Sequence, residues 1–315
     1  MQYRSWLDTW LSRDHSGSYQ AHGPQDGDVI TGCATSYTPE EVQIFTRSLR
    51  RHHDGPAVLI VNEDAPIIEY LRDHSIDAFI VPRSKRSDVH IVTRRFAYLL
   101  SMLELKRDWG RVFTCDVRDV MFQASPFSLP VEHELEVYQE REIGTLAEHS
   151  ASKKWTRRAY GADAFARIKD QPALCGGAML GTRAALARLV RAMLNLNLIP
   201  RSAVASAFGA DQAALNLAVH DGLVEAKVVA NHERVSTIGA HLDALTITRD
   251  DRLVRPDGFM PPVIHQFDRD PDLTAAVERQ TGLPFVTQLD QKHSPLAIWY
   301  DRRRRSLQLR LPELR

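Results

Sequence analysis

Between Asp28 and Asp116 the chain alternates short apolar runs with longer stretches whose apolar residues recur every three or four positions. "DVITGCAT", "AVLIVNED", "AFIVP" and "GRVFTCD" are too short for helices and nearly continuously apolar, the pattern of strands covered on both faces. "TPEEVQIFTRSLRRH", between the first two, puts Val42, Phe45 and Leu49 on one helical face. Thr38 reads as its N-cap, Pro39 as its first residue, and Glu41 as closing a capping box. A second helix, expected near His90 to Lys106, buries Val92, Phe96, Leu99 and Leu103. This repetition predicts an α/β fold with a mostly parallel central sheet flanked by helices. Ligands of such sheets gather beyond the carboxyl ends of the strands.

The second half is more mixed. "LEVYQE" and "CGGAMLGT" read as strands, and Arg183 to Asn195 as a helix burying Leu186, Leu189, Val190, Met193 and Leu194. A further helix starts near Asp211, and "AKVVA" and "PPVIHQF" are late strands. At the N-terminus Tyr3, Trp6, Leu7, Trp10 and Leu11 form an aromatic-rich stripe at helical spacing. The expected organisation is an N-terminal amphipathic helix and polar linker (1–27), one α/β domain (28–275), and a C-terminal extension (276–315) ending in the Arg-rich "DRRRRSLQLRLPELR". The stripe suits packing on the main domain, a homo-oligomer contact or a membrane interface. The basic tail suits an anionic membrane or an acidic partner.

Forty basic and forty acidic residues cancel, so composition provides no general attraction to nucleic acid. Three cysteines without a CxxC pair argue against a disulfide framework or a structural zinc site and suit reduced, buried thiols. No apolar run approaches the roughly 18 residues of a membrane span. The expected location is cytoplasmic, at most peripheral to the inner face of the membrane. After the first strand, "TGCATSYTPEE" carries neither GxGxxG nor GxxxxGK[ST], and no GxSxG or HExxH occurs.

The chemistry concentrates in "VFTCDVRDVMFQASPF", where an apolar strand runs into Asp116, Arg118 and Asp119. Burying these charges unpaired is costly. Either they pair among themselves and cap a turn, or they sit at the strand's open end and hold something charged. In a continuing strand Asp116 and Arg118 share a face and Asp119 points away; a turn after Asp116 brings Asp119 back.

Four ordered blocks surround this stretch. They are "RRFAYLLSMLELKRDWGRVFTCDVRDVMFQASPF", the small-residue strand "LCGGAMLGT", "DQAALN", and "VIHQFDR". Together, over roughly residues 28 to 270, they resemble a GT-A glycosyltransferase, and within that fold the retaining glycogenin and lipopolysaccharide galactosyltransferase group. The resemblance implies a GT-A catalytic domain that moves a sugar, with retention, from a nucleotide-diphosphate donor (UDP-sugar favoured) to a hydroxyl acceptor such as a glycan. It implies Mn²⁺ or Mg²⁺ held by Asp116, Asp119 and His265. Thr31, Cys33, Ala34, Thr35 and Tyr37 would hold the base and ribose, and Arg95, Asp116 and Arg118 would lie near the diphosphate. Gly176 and Gly177 would line the donor site, Asp211 and Gln212 would flank the reacting carbon as catalytic residues, and Trp155 would stack on the acceptor. The family's Asp-x-Asp has arginine at its third position here, so either Asp119 or Arg118 takes the second aspartate's place. That departure keeps open a catalytically inactive sugar-nucleotide-binding protein. A sugar-nucleotide pyrophosphorylase is the other alternative, although no glycine-rich basic loop for a triphosphate is found. Read singly, Asp211 could be an N-cap and His265 a hydrogen-bonded core histidine.

Overall fold

The computed structural model describes residues 16–83, 89–141, 144–198, 208–239 and 245–287. The N-terminal aromatic stripe and the Arg-rich tail lie outside the described residues.

A short strand, β1 (Ser18–Gln20), precedes the expected run of β2 (Val29–Cys33), β3 (Ala57–Asn62), β4 (Asp77–Val81) and β5 (Arg111–Cys115). These last four are parallel, in the order β4-β3-β2-β5. Their helices are α1 (Pro39–His52), α2 (Ala65–Asp73) and α3 (Ile91–Leu105). Neighbouring strand residues point to opposite faces, and each face has its own cover. Val29, Val58, Ile60 and Phe79 meet Phe96, Leu99 and Leu103 of α3. Ile30, Leu59, Val61 and Phe113 meet Val42, Phe45 and Leu49 of α1 and Leu71 of α2. Both residue sets are apolar because both faces are buried.

Beyond β5 the pairing changes. β8 (Leu174–Thr182) is antiparallel to both β5 and β7 (Leu135–Gln139), and β9 (Lys227–Val229) is parallel to β7. β1 closes the far edge antiparallel to β4. The eight-stranded sheet is therefore mixed. β2, β3, β4, β5, β7 and β9 point one way, whereas β1 and β8 are reversed. The mostly parallel expectation describes strand direction but not the pairings around β8. A parallel β8 would need a crossover running back along the sheet. Instead α4 (Ser150–Ile168) packs on α6 (Ala210–His220), so β8 begins at the edge where β7 ends. α5 (Arg183–Leu198) follows β8 directly and joins the α3 layer through Leu186, Leu189, Val190 and Met193. The described residues hold seven α-helices, the last being α7 (Pro271–Thr281).

A second sheet of three strands, β10 (Val235–Thr237), β13 (Val263–His265) and β6 (Val120–Phe122), lies in the order β10-β13-β6. β11 (Thr246–Ile247) and β12 (Leu253–Val254) form a separate antiparallel pair. The loop after β6 is anchored by the buried Arg234–Glu136 pair at 2.9 Å, with Arg234 also donating to the Pro130 carbonyl at 2.7 Å. This arrangement is compatible with a GT-A-like fold. No helix among the described residues is long and apolar enough to cross a membrane.

The expected capping box is present at the start of α1, where the Glu41 carboxylate accepts from the Thr38 N–H at 3.0 Å. Two local expectations change. The expected linker is tied down in part. β1 pairs with β4, and the Asp77 carboxylate accepts from Gly23 N–H at 2.9 Å and Gln25 Nε2 at 2.8 Å. The expected boundary at residue 275 falls inside α7, which is fastened to α1 by Arg51 Nη1 donating to the Gln280 carbonyl at 2.9 Å.

Candidate active site

A cleft of about 600 Å³ opens where β2, β5 and β7 end and β8 begins. Cys33, Thr35, Tyr37, Arg95, Asp116, Arg118, Asp119, Trp155, Gly176, Gly177, Asp211, Gln212 and His265 all line it. Thr31 and Ala34 do not. Thr31 is fully buried within β2, and Ala34 is 1% exposed with its N–H donated to the Ile60 carbonyl. An interior strand has two covered faces, so the sequence alone did not separate its cleft-facing residues from its core.

The chain turns immediately after β5, and after four residues, Asp116 to Asp119, β6 begins in the smaller sheet. The turn brings Asp119 back beside Asp116, while β13, paired with β6, delivers His265 opposite Val120. One ligand atom from each of Asp116, Asp119 and His265 lies within 4.8 Å of the others. His265 Nδ1 is 3.3 Å from Thr237 Oγ1 and 3.5 Å from Cys175 Sγ. His265 Nε2 is buried and makes no hydrogen bond, although it lies 3.4 Å from Asp116 Oδ2. A proton on Nδ1 would leave Nε2 as a lone pair facing two carboxylates. Two oxygens and one imidazole nitrogen suit a hard divalent cation such as Mn²⁺ or Mg²⁺. The donor set therefore fits the expected ion.

Arg95, from α3, ties this cluster to α6. It pairs with Asp116 through Nη1, and its Nη2 donates to Asp211 Oδ2 at 2.8 Å and to the Gly176 carbonyl at 3.0 Å. Arg95 thus lies in the cleft as expected, but its terminal nitrogens are committed to protein acceptors. Burial opposes ionisation of Asp116, yet the Arg95 guanidinium and His265 hold its carboxyl down to about 2. Burial raises Asp119 and also Asp211, the latter despite Arg95. Burial also pushes the Tyr37 hydroxyl up to about 12. Burial would make the His265 imidazole neutral, but Cys175, Asp116 and Asp119 raise it well above its ordinary range.

Arg118 faces the cleft on the Tyr37 side. Its Nε is a buried donor without an acceptor; Arg269 Nε, on the 3₁₀ turn after β13, also makes no hydrogen bond, with the Asp268 carboxylate nearby at 3.7 Å. Buried donors of this kind are uncommon and call for a partner. Arg94, on the same helix as Arg95, turns away and donates to the Val89 carbonyl at 2.7 Å.

No family model matches this chain, and neither does any curated protein.

The "DQAALN" block resolves into distinct jobs. Asp211 meets Arg95, Gln212 faces the cleft, and Asn216 fastens α6 to β8. Asn216 Oδ1 accepts from Leu174 N–H at 3.0 Å, and its Nδ2 donates to the Gln212 carbonyl at 2.8 Å. Asn216 is fully buried, so Asn216→Ala leaves the Leu174 N–H without a partner. A loss of about 2 kcal/mol in urea unfolding is expected, in the range for an orphaned buried donor.

Sequence reasoning missed Glu140, His149, Phe208 and Arg269, all of which line the cleft. Glu140 was findable, because it is the last residue of the predicted strand "LEVYQE", at its carboxyl end. Phe208 and Trp155 make an edge-on ring contact with centroids 5.7 Å apart at the cleft mouth. Gly209 makes that contact possible, since a Cβ there would enter the Trp155 ring.

Proposed function

We propose that this chain is a GT-A glycosyltransferase that moves a sugar from a nucleotide-diphosphate donor, with a UDP-sugar favoured, to a hydroxyl acceptor. The carrying observation is the convergence of Asp116, Asp119 and His265 at the open end of β5, beside a cleft of about 600 Å³. Cleavage of a sugar–phosphate bond leaves charge on the departing diphosphate, which preorganised cations and donors stabilise. A divalent cation held by Asp116, Asp119 and His265 would supply Lewis-acid stabilisation of that charge. Asp119 then takes the place of the family's second aspartate. Arg118 and Arg269 hold buried Nε donors that phosphate oxygens would satisfy.

Charge balance supports the same ligand. With His265 neutral as a ligand of the ion, the four guanidiniums (Arg95, Arg118, Arg141, Arg269) and four carboxylates (Asp116, Asp119, Glu140, Asp211) that line the cleft cancel. A divalent cation bound with a nucleotide diphosphosugar adds no net charge to that lining. Tyr37 and Thr35 flank the end where the base and ribose would lie. Asp211 and Gln212 stand where the sugar would lie, and Trp155 stands at the acceptor side. Retention follows from the likeness of "DQAALN" to the retaining group.

The test is a thermal-shift panel of sugar nucleotides, each with Mn²⁺ and with EDTA. Stabilisation follows ligand affinity, at about 2.7 kcal/mol when ligand is 100-fold above Kd. The expected result is stabilisation by one or more UDP-sugars that EDTA abolishes. No response to any sugar nucleotide would sink the proposal, and an EDTA-insensitive response would remove the cation from it.

A further inference from the structure

Glu140 is a cleft carboxylate with no arginine ion pair among the described residues. It immediately follows β7, at the same sheet edge as Asp116. Among the described residues its only ion-pair neighbour is His149, whose Nε2 lies 3.6 Å from Glu140 Oε2. Its closest partner is instead an amide. Gln212 Nε2 donates to Glu140 Oε2 at 2.5 Å and to Ser152 Oγ at 3.1 Å. Ser152 Oγ in turn lies 2.6 Å from His149 Nδ1.

Oxygen and nitrogen of a side-chain amide look alike in shape, and the hydrogen-bond partners must decide which is which. Here the ionised form of Glu140 decides. An ionised carboxylate only accepts, so with Glu140 ionised the amide end facing it is the NH₂. Both N–H bonds are then used, one on Glu140 and one on Ser152. The carbonyl oxygen is the polar atom of Gln212 left for the cleft that this residue lines.

We infer that Glu140, backed by Ser152, is a positioning residue that fixes the Gln212 amide with its carbonyl oxygen toward the donor's sugar. This rests on the glycosyltransferase reading and adds a substrate feature to it. The group presented to the sugar is a lone pair, so the preferred donor carries a hydroxyl proton, or developing positive charge, at that point. A donor sugar lacking the facing hydroxyl forfeits this contact. Burial favours the neutral form of Glu140 and raises its pKa, and the Gln212 hydrogen bond opposes that shift. Arg141, His265 and Arg269 are the charged groups that also favour its ionised form.

The experiment compares the full-length wild type with Glu140→Ala, Glu140→Gln, Gln212→Ala and the Glu140→Ala/Gln212→Ala double variant. For each, the thermal shift with UDP plus Mn²⁺, the additional shift with UDP-hexoses, and turnover of the donor are measured. The UDP shift is expected to match wild type throughout. The sugar-dependent increment should be lost, and turnover should fall about 10- to 100-fold in Glu140→Ala, as for a mispositioned reacting group. The double variant should be no slower than Gln212→Ala, because both substitutions remove one interaction. Glu140→Gln, which can still accept from Nε2, should recover part of the loss.

Wild-type turnover in Glu140→Ala, or effects of the two residues that simply multiply, would overturn the inference. Should Glu140→Ala fail to fold, Glu140→Gln carries the test, and turnover equal to wild type would overturn it. A wild-type chain that responds to no sugar nucleotide would sink the glycosyltransferase reading instead. The Gln212 side-chain NH₂ resonances, identified by their absence in Gln212→Ala, would then still decide the amide's orientation. Signals unmoved by Glu140→Gln would overturn it.

Discussion

Gly177→Ala is expected to weaken divalent-cation binding by about 100-fold, whereas Gly176→Ala should leave it within a few-fold of wild type. The two glycines are adjacent in β8 and face different surroundings. A Cβ on Gly177 would sit 2.7 Å from His265 Nε2 and 2.9 Å from Asp116 Oδ2, inside the ligand cluster. The backbone has little room to yield, because Asp116 N–H donates to the Gly177 carbonyl at 2.8 Å and locks β8 against β5. A Cβ on Gly176 would meet Asp211 Oδ2 at 3.5 Å, an ordinary contact. The extra methyl at Gly177 should cost about 1–3 kcal/mol of stability as overpacking. Displacing the ligands should weaken Mn²⁺ by about 100-fold, the upper range for disturbing a ligand's support. Calorimetric Mn²⁺ titration of both variants checks the pair. Equal affinity in Gly177→Ala and wild type would mean that His265 and Asp116 do not share the ion.

Arg95→Met should be the most destabilising single change in the cleft. It removes the one guanidinium that joins Asp116 to Asp211 and leaves two carboxylates without it. Asp211 is 8% exposed, so its desolvation is nearly complete, whereas Asp116 at 30% keeps some solvent screening. A loss of about 3 kcal/mol at neutral pH is expected, the lower end for breaking a buried pair. Its pH dependence has a definite sign. The folded-state carboxyl of Asp116 sits at about 2, below the roughly 3.9 of an unfolded aspartate. Its ionised form therefore stabilises the wild type above about pH 4, and this contribution is lost as pH falls toward 2. Without Arg95 that depression weakens, and the burial that raises Asp211 goes unopposed. Acidification then relieves the variant while it penalises the wild type. Urea unfolding from pH 7 downward should show the gap narrowing, with its steepest change between about pH 4 and 2. A gap constant with pH would mean that Arg95 acts through packing alone.

Much of this site was legible because its residues sit at strand ends, which local apolar patterning locates well. Asp116 and Arg118 follow β5 at once, and His265 is the last residue of β13. The return of Asp119 could be posed from the sequence only as an alternative, because a turn and a continuing strand share the same letters there. Strand direction was not readable. Alternation has no polarity, so "LCGGAMLGT" gave no sign that β8 runs against β5. Nor did the sequence mark α4, whose helix is interrupted at Gly161 with φ 88° and carries few core residues. Without α4 in place, the His149 and Ser152 support beneath Gln212 could not be foreseen. Arg95 was expected near phosphate, and only the fold shows that its terminal nitrogens are spent on Asp116, Asp211 and the Gly176 carbonyl.

Asp116 leaves the eight-stranded sheet, whereas His265 belongs to the three-stranded one, and Val117 to Asp119 bridge the gap. An ion gripped by both residues would act as a further rivet between two layers that side-chain packing and the buried Arg234–Glu136 pair already join. Its grip would register the relative tilt of those layers, so a substitution far out on β10 or α7 could retune affinity without touching a ligand.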